Sequence, residues 1–280
     1  MASDAQESFE ERIKQREAAL KHPLQTIPVA THKPLGNIPN TPLAASTVAF
    51  LLGGLFSLGF LTFLVGGFNV YWWTSAQLGF FVAAWAGFHW GEFAVTAGWN
   101  LEKCSVDSYL LDNGAMYHIA NGAALTEYLV TLYFRPALKA YPYLTPIGIT
   151  LVLVGQLLRS TAMIHASTNF SHAVAFRKRE SHKLVTDGVY ASVLSMDFMK
   201  AFTDSPSSWF RHPSYAGFYY WALGTQLVLQ NPLTFVLFAI LLWRFFYYRT
   251  RAEENALIKF FGDDYVKYRQ HVGTKIPFVP

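Results

Sequence analysis

The sequence is short of cysteine and of charge, and each shortage excludes something. A single cysteine, Cys104, rules out a disulfide framework and any cysteine-based zinc site. Asp, Glu, Lys and Arg make up 14 % of the 280 residues, and whole blocks have none: Leu43 to Gly91, Ala140 to Leu158 and Ala216 to Trp243. A soluble protein rarely leaves so much sequence uncharged. One membrane crossing takes about 20 apolar residues, so the first block is long enough for two. A signal peptide does not explain this block, which begins some 40 residues in, behind a charged segment, and is far longer than a signal's apolar region. The net charge of +4 fits basic cytosolic loops better than nucleic-acid binding.

What is present is helical. Glu7 to Lys21 alternates acids and bases and predicts a short surface helix. Pro23, Pro28, Pro34, Pro39 and Pro42 then impose an extended lead-in. Gly66-Gly67-Phe68-Asn69 splits the first apolar block into a hairpin of helices, 43–65 and 70–91. Further helices are expected over 114–135, 144–166, 215–230 and 233–248, the last running on to Phe261 with Gly262 as its stop. Trp72, Trp73, Trp85, Trp90 and Trp99 suit an interfacial belt. Basic residues in the N-terminal segment, at 177–183 and in the tail put both termini on the cytosolic side, so the spans are even in number. The expected fold is an all-α polytopic membrane bundle of six to eight spans, its cytosol-facing cofactor pocket built from the C-terminal helices and loops. The chain divides into a polar segment (1–42), N-terminal membrane helices (43–166) and a catalytic core (167–280).

Three polar segments stand out near the C-terminus: His182 to Tyr190, Arg211 to Gly217, and Arg249 with Glu253 and Glu254 running to Tyr265. Pro213 at a helix start leaves backbone N–H groups free for an anion, with His212 and Tyr215 beside them; an ordinary proline start with a belt tyrosine reads equally well. Arg249 and Glu253, four apart, share a helix face. They form either a surface ion pair or, where the helix leaves the bilayer, a site for a carboxylate and an amino group. Glu127, mid-span, is a functional candidate or a polar contact inside the bundle. His165, His172 and His182 match no metal-ligand spacing, and no metal is expected.

These segments, in order, resemble the isoprenylcysteine carboxyl methyltransferase family. The shared motifs are His182 to Tyr190, Arg211 to Gly217, Trp221 to Gln226, Asn231-Pro232, Arg249 to Glu254 and Phe260 to Tyr265, and Asn169 to His172 fits as well. The resemblance implies an S-adenosylmethionine enzyme of the endoplasmic reticulum membrane that methylates the C-terminal prenylcysteine carboxylate of processed CaaX proteins. It implies cofactor contacts at His182, Lys183, Leu184, Val185, Tyr190, His212, Pro213, Ser214, Tyr215 and Glu253. Arg249 would hold the substrate carboxylate, and Arg249 and Glu253 would form the catalytic pair. The partners implied are prenylated proteins and the bilayer, with neither nucleic acid nor metal. Two departures stand out. Ser192 to Ser208 is an insertion, expected to be extruded as a loop, and Ala175 replaces an expected glutamine. The rival readings are an NADPH-dependent sterol or lipid reductase, with 177–183 meeting the 2′-phosphate, and a catalytically dead lipid-binding scaffold.

Overall fold

The computed structural model describes residues 38–67, 71–172, 184, 190 and 210–279. The expected helix at Glu7 to Lys21, the 177–183 cluster, Ala175 and the 192–208 insertion lie outside them. Seven α-helices are described: α1 (Pro42–Leu64), α2 (Ala76–Trp99), α3 (Ala115–Phe134), α4 (Leu144–Ala166), α5 (Pro213–Leu229), α6 (Pro232–Phe261) and α7 (Asp263–His271). Short 3-10 turns at Leu101–Lys103, Val106–Tyr109, Pro136–Lys139 and Ser167–Asn169 fill the connections.

Local chemistry sets the helix ends. The Thr41 hydroxyl accepts from the Ala44 N–H at 3.2 Å, and Pro42 occupies the first turn of α1. Gly66 and Gly67, at φ 72° and 94°, make the turn that follows. Ser75 caps α2 at 3.2 Å from the Leu78 N–H. The second helix is therefore Ala76–Trp99 rather than 70–91. Glu92 does not end it, because that carboxylate is paired inside the bundle and need not reach water. Trp72, Trp73, Trp90 and Trp99 are exposed as belt residues should be, but Trp85 packs at 4.4 Å on the His89 ring. α7 is a helix the charge pattern did not suggest.

Pro42–Leu64, Leu144–Asn169 and Pro232–Phe261 are long and apolar enough to cross a membrane. The all-α bundle is as expected, and three such helices lie among the described residues. Helix α6, at 30 residues, is about 45 Å long. The hydrocarbon core is about 30 Å thick, so one end of α6 projects beyond it.

Glycines bring α4 and α5 into backbone contact. A Cβ on Gly155 would lie 2.6 Å from the Gly217 carbonyl, and one on Gly217 would lie 2.7 Å from the Arg159 nitrogen. Gly148 and Gly224 repeat the approach two turns away. α5 lies at the centre, with 13 of its 17 residues buried. α3 is pinned to the start of α6: Glu127 accepts from the Leu233 and Thr234 N–H groups at 2.9 and 2.6 Å, and Asn231 Nδ2 donates to the Ala124 carbonyl at 2.8 Å. Glu127 is therefore the polar contact of the two alternatives, a cap on the N-terminus of α6. Lys139 closes the same end, donating to the Gln230 carbonyl at 3.0 Å and to Asn231 Oδ1 at 2.6 Å. Burial pushes its amino group down to about 8 against the opposing pull of Glu127.

Candidate active site

The site forms where α4 ends, α5 begins and α6 projects. Arg211, just before α5, is a tie: Nε donates to Glu254 Oε1 at 2.6 Å, and Nη1 donates to the carbonyls of Val272 (2.5 Å) and Arg269 (3.1 Å). Arg269 holds the other Glu254 oxygen at 3.3 Å. Glu254 is thereby spent on fastening the α5 entry and α7 to α6. Its neighbour Glu253, about 100° round the helix, lines a cavity instead.

Arg249 and Glu253 form no direct ion pair. The Tyr215 hydroxyl stands between them, accepting from Arg249 Nε at 2.8 Å and donating to Glu253 Oε2. The Tyr215 ring stacks on His212, with centroids 5.3 Å apart, and lies 5.2 Å beneath the Arg249 guanidinium. Arg249 Nη2 donates to the His172 carbonyl. Arg249 Nη1 and Glu253 Oε1 have no hydrogen-bond partner among the described residues.

Two cavities share a wall of Phe170, Ser171, Ser214 and Tyr215. The smaller, about 150 Å³, is lined by Leu184, Tyr190, His212, Glu253, Leu257 and Phe260, among others. The larger, about 720 Å³, is mostly apolar, with Phe218, Trp221, Phe238 and Leu242 on its walls and Arg159 and Arg249 lining it as well. Tyr268 donates to the Tyr190 carbonyl at 2.9 Å, tying that residue to α7. Burial, then the Glu253 charge, pushes the Tyr190 phenol well above its ordinary range, so it stays protonated. Burial pushes His172 down to about 4; Glu92 opposes this, while Arg159, Arg249 and Lys103 reinforce it.

Of the residues singled out from sequence, Arg249, Glu253, His212, Ser214, Tyr215, Leu184 and Tyr190 come together on the walls of these cavities. Pro213 is buried at the first position of α5 and does not line them. His182, Lys183 and Val185 lie outside the described residues. Sequence reasoning passed over Glu92 and Arg159. Arg159 Nε and Nη2 grip the Glu92 carboxylate at 2.5 and 2.7 Å, and Nη1 donates to Ser214 Oγ at 3.0 Å and to its carbonyl at 3.2 Å. The available signal was one acid and one base, each on an otherwise apolar helix.

A carboxylate with an unspent oxygen beside stacked aromatic rings suits a ligand bearing an ammonium or hydroxyl group, an aromatic ring and positive charge. The smaller cavity therefore fits S-adenosylmethionine in its donor set. The larger fits an apolar chain ending in an anion.

The model of the isoprenylcysteine carboxyl methyltransferase (ICMT) family matches residues 148–195 and 192–259. The protein-S-isoprenylcysteine O-methyltransferase of Xenopus laevis is 40 % identical over 201 residues, covering 72 % of this chain and 64 % of that protein. The Saccharomyces cerevisiae protein of the same name is 42 % identical over 205 residues, covering 71 % and 79 %. The alignment spans just under two thirds of the frog protein's length. The solved structure of a eukaryotic intramembrane Ras methyltransferase, ICMT, matches with a TM-score of 0.71 and 34 % identity, over 85 % of this chain and 82 % of that one. With the three apolar helices, this makes the chain a multi-pass intramembrane protein.

Proposed function

The chain belongs to the isoprenylcysteine carboxyl methyltransferase family, and from that premise we propose that it methylates the C-terminal prenylcysteine carboxylate of processed CaaX proteins, with S-adenosylmethionine as donor. The observation that carries the reading is the pair of unlike cavities parted by Tyr215, with Glu253 on one side and Arg249 on the other.

A substrate carboxylate is ionised at neutral pH, so the chain needs no general base. When bound, the cofactor supplies a methyl group already activated by its sulfonium charge. The protein's task is placement and exclusion of water. Arg249 holds the carboxylate through Nη1, the nitrogen without a hydrogen-bond partner among the described residues. Glu253, His212, Tyr190, Leu184, Ser214 and Tyr215 hold the cofactor, with His182, Lys183, Val185 and Pro213 carried over from the family motifs. Tyr215 fixes Arg249 and Glu253 at once, so the two binding sites keep a constant separation.

The apolar cavity takes the prenyl chain. α3 and α6 are pinned at Ala124–Asn231 and Glu127–Thr234, and the cavity lies between them on the side of the projecting end of α6. In this reading α1 to α6 all cross the membrane, both termini face the cytosol, and the membrane is that of the endoplasmic reticulum. Prenyl chains enter from the bilayer and the cofactor from the cytosol.

The test supplies detergent-purified chain with labelled S-adenosylmethionine and an S-farnesylcysteine thioether. Base-labile methyl ester is the expected product. No ester, with NADPH binding in a parallel titration, would move the assignment to the reductase, and silence from both ligands would favour the dead scaffold.

A further inference from the structure

The Glu92–Arg159 pair lies deep in the bundle, with Glu92 only 1 % and Arg159 7 % exposed. Such a pair contributes little to stability, since desolvation of both charges offsets their attraction. What it holds is more informative. Among the described residues Arg249 has two hydrogen-bond anchors, the Tyr215 hydroxyl and the His172 carbonyl. The first belongs to the residue after Ser214, whose carbonyl and hydroxyl both accept from Arg159 Nη1. The second belongs to His172, whose ring is bracketed by α2: Glu92 Oε2 lies 3.7 Å from its Nδ1, and Thr96 Oγ1 3.5 Å from its Nε2. Thr96 in turn donates to the Glu92 carbonyl at 2.7 Å. Both anchors of Arg249 thus lead back to one ion pair. The glycine contact between Gly217 and Arg159 sets the height of that pair against α5.

We propose that Glu92 and Arg159 are positioning residues that aim the Arg249 guanidinium at the substrate carboxylate. The inference rests on the reading of Arg249 given above. Arg159 also lies over the Phe88 and Phe218 rings at 5.5 and 5.4 Å, and Phe218 lines the apolar cavity. The pair is therefore keyed to both the wall and the head of that cavity. Neither residue need touch a substrate atom. Losing the pair lets the α5 entry and the segment around His172 shift independently, and Arg249 loses its fixed direction.

The experiment compares Glu92→Gln, Arg159→Met and the double variant in purified full-length chain. Each single variant strands a buried charge or its partner and lowers the thermal midpoint. The double variant removes both charges, so its thermal midpoint and its S-adenosylhomocysteine affinity by calorimetry should return close to wild type. Its kcat/KM for an S-farnesylcysteine thioether should stay about 100-fold down, the scale of a misplacement near 1 Å. Arg249→Ala should then cost far less on the double-variant background than on wild type, because the pair acts through Arg249. Activity that returns together with stability, or an equal Arg249→Ala cost on both backgrounds, would overturn the proposal. A wild-type chain that forms no ester fails earlier, at the parent reading.

Discussion

At the scale of single residues, the Tyr215 hydroxyl is the cheapest point at which to disturb the site. Tyr215→Phe keeps the ring stacked on His212 and removes only the oxygen that meets Arg249 and Glu253. Hydrogen bonds to charged groups contribute about 1.5–3 kcal/mol, so methyl transfer should fall roughly ten- to a hundredfold while the protein stays folded. An initial-rate assay beside a melting curve checks this. His172 gives a pH signature. Its folded value of about 4 lies below the ordinary 6.5. Only the unfolded chain takes up a proton between those values, so stability is lost as pH falls from about 6.5 toward 4. The thermal midpoint should drop in that window, and drop less in His172→Asn. Legibility at this scale followed sequence proximity. Arg211 to Tyr215 and Arg249 to Glu254 are compact strings whose residue types already suggest a site. Glu92, Arg159 and the ring of His172 meet only in three dimensions, and nothing near Glu92 in sequence marks its partner 67 residues away. The split between Glu253 and Glu254 was equally hidden, since adjacent acids look alike until the helix turns one to the cavity and the other to Arg211.

At the scale of elements, most helices could be read from the apolar blocks, because lipid-facing and core-facing residues are both apolar and charge marks the ends. That logic failed at α2, where Glu92 sits inside the helix because Arg159 satisfies it. It failed at α7 too, which is short and polar but buries Tyr265. The α4–α5 seam makes its own prediction. Gly155→Leu places a Cβ within 2.6 Å of the Gly217 carbonyl, a backbone atom that cannot step aside. Overpacking of this kind costs about 1–3 kcal/mol or more. The variant should melt earlier or fail to run as a single species in detergent. Gly53→Ala on α1 meets nothing within 4 Å. Relieved of glycine's helix penalty, it should be neutral or gain up to about 1 kcal/mol.

At the scale of the whole molecule, the fold sets two unlike cavities on either side of one tyrosine, one for an aqueous ligand and one for a lipid in the proposed reading. α3 and α6 join at one end and enclose an apolar cavity, and α6 places Arg249 and Glu253 about 26 and 32 Å from its start, at the far boundary of a hydrocarbon core about 30 Å thick. The sequence motifs named both ends of this arrangement without the partition, since Tyr215, Arg249 and Glu253 join only through packing. Cys104 offers a measure of global integrity: it is 1 % exposed, and burial pushes its thiol up to about 11. Maleimide labelling at neutral pH should be slow in the native protein and become fast on unfolding. The most direct test of the two-cavity account is calorimetric titration of S-adenosylhomocysteine into Glu253→Ala and Arg249→Ala. The account predicts that Glu253→Ala loses most of its affinity, whereas Arg249→Ala binds nearly as wild type and fails only with the prenylcysteine substrate. Equal loss of S-adenosylhomocysteine affinity in both variants, or in neither, would contradict the division of the site at Tyr215.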